Sequence, residues 1–319
     1  MPSLTIFTAP KPFTDPHINI IQRNAIQSLL HLNDSVAPGE SVTRRPGHAP
    51  DHGSAGSNPV QVILVGDEDG LAETAAEFAV LHLPDVARNE WGTPLVSSIF
   101  ALAREASEGP LLAYVNADIL LRPDFVETAR TVASQVEKFL VVGQRWDLAV
   151  TQDLAFTPNW DQRLRVEVQS RGELHAPAGS DYFIFPRSIF TDIPDFAIGR
   201  AGWDNWMIYC ALQNRWPVVD ATAALMIVHQ NHDYSHLPGG VAHYDLEETQ
   251  INASLGGGMR NMYMTLDASH EFVGGRVRRA RPSRARILRR LERWMYPVLR
   301  TGIRWTFTRY LRRWRRKVM

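Results

Sequence analysis

The first half of the chain alternates apolar runs with segments whose apolar residues recur at helical spacing. A continuous apolar run predicts a buried strand, whereas apolar residues three or four positions apart predict one face of a helix. The predicted strands are Leu4–Ala9, Val60–Gly66, Leu111–Asn116 and Leu140–Arg145. The predicted helices are Ile18–Leu32, Gly70–Leu83, Asp124–Val136 and one with Thr93 as N-cap and Pro94 at its first position. This alternation predicts an α/β fold, with a mainly parallel central sheet covered by helices on both faces.

Residues 150–275 are less regular. Their apolar runs predict short strands at Tyr182–Phe185 and Ala224–Val228, and the segment Asp204–Leu212 is predicted to be a helix. Residues 37–59 break the earlier alternation, because they are rich in Pro, Gly, Ser and His and lack apolar periodicity. We interpret them as a flexible loop inserted between the first helix and the second strand, with a functional loop as the alternative.

Charge separates a C-terminal tail from the rest of the chain. The 319 residues have a formal net charge of zero, but residues 276–319 hold 17 Lys and Arg residues and one acid, whereas residues 1–275 hold 17 basic and 33 acidic residues. The tail also carries two apolar stripes at helical spacing, interrupted at Pro297. The stripes consist of Ile287, Leu288, Leu291, Met295 and Leu299, and of Ile303, Phe307, Tyr310, Leu311, Trp314 and Val318.

A helix with arginine opposite aromatic residues suits an anionic lipid surface. We therefore expect residues 276–319 to form a basic amphipathic helical tail that binds an anionic membrane surface. Packing against the acidic body and binding to RNA are the alternatives, but the aromatic stripe favours lipid, so no nucleic acid partner is expected. The single Cys210 fits a reducing compartment, and we see neither a secretory signal nor an apolar run of about 18 residues. The expected location is cytoplasmic, peripheral at the inner face of the cell membrane.

Polar residues with metal-binding chemistry follow two of the predicted strands. Asn116 and Asp118 come after the third strand, at the edge where open α/β sheets bind ligands. His229, His232 and Asp233 follow the strand predicted at 224–228. A side-chain oxygen can hold a hard divalent ion that phosphates also bind, and imidazole is a common metal ligand. The alternatives are an Asn/Asp turn at the first position and a hydrogen-bonded polar loop at the second.

Two further segments place a carboxylate beside aromatic or small residues. Asp204 lies between Trp203 and Trp206, so indole faces for a sugar ring stand beside a carboxylate that can accept a proton from a hydroxyl. Asp181 follows a Gly-Ser pair, which allows a ligand to approach the backbone closely. The alternatives are an N-capping Asp204 with core tryptophans, and a strand-entry turn at Asp181.

Signatures of several other enzyme classes are missing from the sequence. It has no GxxxxGK[ST] phosphate loop, no GxGxxG after a strand, no HExxH and no GxSxG. This argues against a P-loop ATPase, a Rossmann dehydrogenase, a zincin metalloprotease and an α/β-hydrolase.

The order of these motifs resembles that of GT-A-fold glycosyltransferases, in particular the family-2-like bacterial group. The resemblance covers about residues 3–245, and it depends on the order of the motifs because each alone is weak. The motifs are Thr8-Ala9-Pro10, Gly66-Asp67, the segment 88–94, Asn116-Ala117-Asp118, the segments 179–183 and 202–206, and His229.

The resemblance implies a glycosyltransferase domain at 1–275 that transfers a sugar from a nucleotide-sugar donor, a UDP- or GDP-sugar, to a hydroxyl of a glycan, glycolipid or similar acceptor. It implies an inverting direct displacement with Asp204 as base, and a Mn²⁺ or Mg²⁺ ion on the diphosphate, bound by Asp118 and His229. The implied donor contacts are Thr8, Ala9, Pro10, Asp67, Asn89, Thr93, Asn116 and Asp118. The other implied substrate contacts are Arg145, Asp181, Trp203, Asn205 and His232.

Asn116 departs from the family pattern, since it stands where the family has the first acid of its Asp-any-Asp motif. An amide oxygen can bind a cation or the ribose but carries no charge, so metal dependence becomes a question for experiment. A non-catalytic homologue that binds carbohydrate or lipid is therefore one rival interpretation. The other is a sugar nucleotidyltransferase, but such enzymes usually have a Gly-rich N-terminal phosphate loop and residues 8–12 contain no glycine.

Overall fold

A computed structural model of the chain describes residues 3–33, 60–232, 246–296 and 301–319. The insertion expected at 37–59 and the acidic residue Asp233 lie outside the described residues. Among the helices within those ranges, none combines the length and the apolar composition needed to cross a bilayer.

Strands and helices alternate along most of the described chain. The strands are β1 (Leu4–Thr8), β2 (Val60–Val65), β3 (Leu81–Leu83), β4 (Leu111–Val115), β5 (Ile119–Leu120), β6 (Leu140–Val142), β7 (Trp146–Leu148), β8 (Glu173–Leu174), β9 (Tyr182–Pro186), β10 (Val218–Asp220), β11 (Val228–Gln230), β12 (His270–Val273) and β13 (Arg276–Arg279). The helices are α1 (Pro16–Leu30), α2 (Leu71–Glu77), α3 (Val96–Ala106), α4 (Asp124–Ala133), α5 (Trp160–Arg171), α6 (Trp203–Gln213), α7 (Glu247–Leu255), α8 (Arg284–Met295) and α9 (Gly302–Lys317).

Nine of these strands form one sheet, in the order β13-β12-β10-β6-β9-β4-β1-β2-β3. Five of its eight neighbouring pairs are parallel, and β9 is antiparallel to both β4 and β6. Side chains alternate between the two faces of a strand. Leu4 therefore joins a core cluster with Ala129 of α4, whereas Phe7 joins one with Phe100 of α3 and Met207 of α6. The predicted α/β fold, with helices on both faces of a mainly parallel sheet, is confirmed.

The helix predicted at Gly70–Leu83 is wrong in its second half. α2 ends at Glu77, Ala79 then adopts a positive φ of 51°, and the chain continues as the edge strand β3. β3 pairs in parallel with β2. A short apolar run fits a helix or a strand equally well. Here the run forms a strand, because the edge of β2 is available to pair with it.

Two other predicted elements begin later than expected. The helix after the Thr-Pro pair begins at Val96, two residues after the predicted start, because Pro94 and Leu95 form isolated β-bridges instead. The strand predicted at 224–228 is β11, which spans Val228–Gln230. Leu95 pairs with Ala197, and β11 pairs with β5 and β7, so these pairing partners lie far away in the sequence and local periodicity does not reveal them.

A second sheet of four strands, in the order β5-β11-β7-β8, carries the histidine segment. β11 pairs with β5 on one side and with β7 on the other, so His229 lies between Ile119 and Asp147. Leu120 and Val228 pack in a separate core cluster that includes residues of α5. Strand pairing on both sides thereby fixes the position of His229, which lies within β11 and not in a loop after it.

The basic tail begins as part of the body. The predicted boundary between residues 275 and 276 falls in the turn of the β12–β13 hairpin. In α8, an Arg286 guanidinium nitrogen donates to Asp220 Oδ2 at 2.9 Å, and one of Arg289 donates to Asp267 Oδ2 at 2.9 Å. α9 then packs on α8, with Arg315 donating to the buried Glu292 of α8. Part of the tail's positive charge thus neutralises buried acids of the body and of α8.

Candidate metal and donor site

The carboxyl ends of three neighbouring strands place predicted donor contacts along one edge of the central sheet. Thr8 ends β1, Asp67 follows β2, and Asn116 follows β4. The parallel registers align these ends, because Thr8 pairs with Leu64 and its neighbour Phe7 pairs with Tyr114. In open α/β sheets this edge is the usual ligand crevice.

Asp118, His229 and His232 form a cluster next to this edge. One potential ligand atom from each lies within 4.8 Å of the other two. Asp118 Oδ2 is 3.9 Å from His229 Nε2 and 3.1 Å from His232 Nε2. The structure thus brings together the two metal ligands expected from the sequence, and adds His232, which was expected to contact substrate.

The chemistry of this cluster fits a divalent metal ion. Asp118 Oδ1 is buried and makes no hydrogen bond within the described part of the chain, so a buried acceptor lacks a partner. Leaving a buried acceptor unsatisfied is costly, and a cation would satisfy it. One carboxylate with two imidazoles suits Mn²⁺ better than Mg²⁺, which prefers oxygen ligands.

The charge state of Asp118 also suits a cation. Burial raises the pKa of the Asp118 carboxyl, but the neighbouring His229, His232 and Lys11 lower it by more, and the net pKa is well below the ordinary range. Burial lowers the pKa of His229, yet Asp118 and Asp147 raise it above its usual value. Asp118 is therefore ionised, and protons would compete with a metal for His229 as the pH falls.

Lys11 is a member of the site that the sequence analysis missed. Its Nζ lies 3.0 Å from His232 Nε2 and 3.7 Å from Asp118 Oδ2. Its backbone is held by Gln22 of α1, which accepts from the Lys11 N–H at 2.6 Å and donates to its carbonyl at 2.9 Å. Burial lowers the pKa of Lys11, and the attraction of Asp118 only partly offsets this. The one available signal was its position, directly behind the Thr8–Pro10 loop.

A network of charged side chains links the cluster to Asp181. Asp147 Oδ1 is 3.2 Å from His229 Nδ1 and accepts from Arg145 Nε at 2.9 Å. Arg145 also donates to Asp181 Oδ1 at 2.7 Å, and Asn116 Nδ2 donates to the same oxygen at 2.9 Å. Burial raises the pKa of Asp147, but His229, His175 and Arg145 lower it below its usual value. Arg145, Asn116 and Asp181 thus form one structural unit.

Asp204 lies at the start of α6, next to the loop that precedes Asp181. A Cβ placed on Gly179, whose φ is +85°, would lie 3.9 Å from Asp204 Oδ2. Burial raises the pKa of Asp204, and hydrogen bonds from the backbone of Asn205 and Gly202 offset only part of this increase. The charge of Asp181 adds to the increase. Asp204 is thus a half-buried carboxyl with raised proton affinity beside the polar network.

The residues on either side of Asp204, Trp203 and Asn205, are both held by contacts within the protein. Trp203 is 5% exposed, and its ring makes an edge contact with Tyr114 at 5.0 Å and a tilted contact with Phe183 at 5.4 Å. Asn205 Nδ2 donates to the carbonyl of Tyr263 at 2.6 Å. Trp203 therefore lies in the core, and the Asn205 side chain is hydrogen-bonded to the backbone of Tyr263.

The remaining predicted donor contacts belong to a second polar group. Asn89 accepts from the backbone N–H of Thr93 at 2.9 Å, and its amide donates to Glu248 of α7 at 2.8 Å. Glu248 also accepts from Arg200 at 2.6 Å. Arg88 pairs with Asp67 and ties this loop to the end of β2. Asn89 and Thr93 thus shape the loop beside Asp67.

No protein-family model and no curated protein matches the chain. Among solved structures, it is similar to glucosyl-3-phosphoglycerate synthase from Mycobacterium tuberculosis in complex with Mg²⁺ and UDP, with 13% identity, a TM-score of 0.47, and coverage of 88% of this chain and 86% of that one. The same synthase with Mn²⁺, UDP and phosphoglyceric acid gives 14% identity, a TM-score of 0.42 and 72% coverage of each chain. S. aureus TarS 1–349 gives 10% identity and a TM-score of 0.44, over 72% of this chain and 60% of that one. The chain thus spans less than two thirds of the TarS structure.

Proposed function

We propose that the protein is a glycosyltransferase that moves a sugar from a UDP- or GDP-sugar to a hydroxyl of a glycan or lipid-linked acceptor. One observation carries the proposal: the Asp118–His229–His232 cluster lies at the carboxyl edge of a mainly parallel sheet and is linked, through Asp147, Arg145 and Asp181, to the surroundings of Asp204. A cation site that is linked in this way to a half-buried carboxyl suits departure of a diphosphate and deprotonation of a hydroxyl. The order of motifs in the sequence supports the same function.

The donor nucleotide is assigned to the sheet edge formed by Thr8–Pro10, Asp67 and Asn116. The support is the aligned register of their strands, and the loop that carries Asn89 and Thr93 closes the Asp67 side. A Mn²⁺ or Mg²⁺ ion bound by Asp118, His229 and His232 would supply positive charge to the donor diphosphate. Lys11 adds a second positive charge at the same place, since its Nζ lies 3.7 Å from Asp118 Oδ2.

The acceptor is assigned to the side of Asp204. Asp204 removes the proton from the acceptor hydroxyl, whose oxygen attacks the anomeric carbon with inversion. The bond from that carbon to the diphosphate oxygen breaks, and the nucleoside diphosphate leaves with the electron pair. Arg145 and Asp181 line this region, while the buried Trp203 and the engaged Asn205 hold the start of α6 in place.

Binding of a nucleotide sugar tests the proposal without knowledge of the acceptor. A ligand that binds only the folded protein raises its apparent stability, by about 2.7 kcal/mol at a concentration of 100 Kd. We expect one UDP- or GDP-sugar in a thermal-shift panel to raise the melting temperature, and to raise it further with Mn²⁺. Asp118→Asn should remove the part of the rise in melting temperature that depends on Mn²⁺. A panel in which no nucleotide sugar shifts the melting temperature contradicts the proposal.

The tail is assigned to an anionic membrane surface at the cytoplasmic face of the cell membrane, where a lipid-linked acceptor is within reach. Most of the apolar stripe of α9 faces solvent, since Ile303, Phe307, Tyr310 and Trp314 are 82%, 55%, 64% and 52% exposed, whereas Leu311 is buried. Exposed residues of α8 extend the apolar surface, and Trp294 among them is 72% exposed. These residues, together with Ile287 and Leu291, are called the tail stripe below.

The positive charge beside the tail stripe favours an anionic lipid surface as its partner. The exposed cationic residues of α9 form no ion pair within the described ranges, so their charge is available to anionic headgroups. They are Arg304, Arg309, Arg313, Arg316 and Lys317. Aromatic and aliphatic side chains at the interface, flanked by arginine, are typical of helices that lie in the plane of a membrane surface.

A further inference from the structure

Asp147 and His229 are neighbours across two parallel strands of the small sheet. β7 and β11 pair so that Asp147 lies opposite His229, and the flanking pairs are Trp146 with Val228 and Leu148 with Gln230. Residues opposite each other in adjacent strands point to the same face of the sheet. The backbone ladder, rather than a flexible loop, therefore sets the distance between this carboxylate and this imidazole.

The two nitrogens of His229 face two different carboxylates. Nε2 lies 3.9 Å from Asp118 Oδ2 on the side of the metal cluster, and Nδ1 lies 3.2 Å from Asp147 Oδ1 on the other side. A histidine that binds a metal through one nitrogen usually donates the N–H of the other to a carboxylate or carbonyl, which fixes the tautomer and the ring orientation. In His229, Nδ1 is 3.2 Å from Asp147 Oδ1 and has no well-aligned hydrogen-bond partner within the described residues, so Asp147 is the carboxylate within reach of that nitrogen.

Asp147 is itself held from two further directions. Its Oδ2 lies 2.6 Å from His175 Nδ1, and its Oδ1 accepts from Arg145 Nε at 2.9 Å. His175 is fixed in turn, because its backbone N–H donates to the Arg145 carbonyl at 2.9 Å. The carboxylate therefore keeps its orientation toward His229 without help from the metal cluster.

We propose that Asp147 is a positioning residue, which holds His229 with Nδ1 protonated and Nε2 directed at the metal, and that His175 and Arg145 anchor Asp147 in that role. The inference rests on the metal centre of the proposed function. It assigns to this metal site a carboxylate that is not itself a ligand. Replacing Asp147 should therefore weaken metal binding even though all three ligands, Asp118, His229 and His232, remain.

The test is the affinity of the full chain for Mn²⁺, measured by electron paramagnetic resonance of the free ion. Asp147→Asn should weaken Mn²⁺ binding by roughly 10–100-fold, the usual effect of losing such a partner. His175→Gln should weaken binding in the same direction but by less, since Asp147 and Arg145 remain. The matched control is Glu173→Gln, which removes a charge from an exposed residue opposite Asp147 in β8 and should leave the affinity unchanged.

The outcomes separate this inference from the proposed function. Asp147→Asn with an unchanged melting temperature and unchanged Mn²⁺ affinity overturns the role of Asp147. If that variant does not fold, His175→Gln decides, and an affinity equal to that of the wild type overturns the inference. A wild-type protein that binds no Mn²⁺ overturns it too, whereas one that binds Mn²⁺ but turns over no nucleotide sugar contradicts only the proposed function.

Discussion

Among single residues, the carboxyl of Asp204 bears most directly on the proposed reaction. Burial is the largest cause of its raised pKa, and the charge of Asp181 raises the pKa further. Arg145 and Asn116 already engage Asp181. Asp204 is therefore the carboxyl in this region that is left to take a proton from a substrate.

Replacing Asp204 by Asn should lower kcat by roughly 10²–10⁴-fold, the usual contribution of a positioned base. Steady-state transfer with the correct donor and acceptor measures this effect. The binding of donor and Mn²⁺ should change little, because Asp204 is not among the proposed metal ligands. Asp192→Asn, an exposed acid before α6, is the matched control and should retain full turnover. Undiminished turnover in Asp204→Asn removes the residue from the role of base.

The pH dependence of kcat follows from the same carboxyl. The raised pKa of Asp204 means that it becomes protonated at a higher pH than an ordinary aspartate as acid is added. A base works only when deprotonated, so kcat should be full above the raised pKa and fall as the pH falls through it. The pH dependence of kcat, measured with donor and metal at saturation, shows the pH at which this fall occurs. An acid limb at the ordinary aspartate pKa, near 3.8, would contradict the assignment.

Part of this site could be predicted from the sequence, and part could not. Asn116 and Asp118 follow a strand directly, so their place at the sheet edge followed from the pattern. Lys11 and Asp147 were missed because only tertiary structure gives them their partners. The partners of the Lys11 side chain lie more than 100 residues away, and Asp147 meets His229 through the pairing of two three-residue strands.

At the scale of elements, long periodic segments were predicted and short strands were missed. β1, β2 and β4 match the apolar runs, because buried parallel strands are apolar on both faces. β7 and β8 are three and two residues long and have no readable period. α5 was missed because it buries only Leu164 and Val168, so its apolar stripe is too narrow to detect.

The tail stripe gives a prediction at this scale. The double substitution Phe307→Ser and Trp314→Ser should reduce sedimentation with vesicles that contain an anionic lipid, because it removes two large side chains that are 55% and 52% exposed. Each fully buried side chain of this kind contributes roughly 1.5–3 kcal/mol. Binding to purely zwitterionic vesicles should be weak in every variant, since the arginines need anionic headgroups.

The control for this experiment is Val166→Ser, which removes an apolar side chain that is 66% exposed on α5. It should sediment like the wild type. Melting temperatures should stay unchanged in both variants, because neither alters the face on which α8 and α9 pack. Equal sedimentation of the wild type and the Phe307→Ser/Trp314→Ser protein would contradict membrane binding through the tail stripe.

At the scale of the whole molecule, the separation of charge between body and tail has two uses. Inward-facing arginines of α8 complete the body, because Asp267 is buried between Arg289 and Arg293. Outward-facing arginines of α9 remain available to a partner. Deletion of residues 276–319 would therefore remove the ion pairs of α8, the edge strand β13 and the proposed membrane-binding residues at once. Point substitutions distinguish them.

Arg289→Met should lower the free energy of unfolding by roughly 3–5 kcal/mol, because it leaves Asp267 buried without its main partner. The side chains of Arg289 and Asp267 are only 7% and 2% exposed. The adjacent Arg290 is exposed, and Arg290→Met should change stability by less than about 0.5 kcal/mol. Urea denaturation of both variants measures the difference. Equal stability of the two would show that the buried pair does not hold α8 to the body.

Glycosyltransferase activity can be tested by the release of nucleoside diphosphate by the full chain from a panel of UDP- and GDP-sugars, with Mn²⁺ and then with EDTA. We expect that one donor is turned over with Mn²⁺, that EDTA suppresses the release, and that added Mn²⁺ restores it. Asp118→Asn should reduce the release, since Asp118 is the only carboxylate among the three proposed ligands. No release from any nucleotide sugar with Mn²⁺ present would contradict the assignment as a glycosyltransferase, and full release in EDTA would contradict the metal centre.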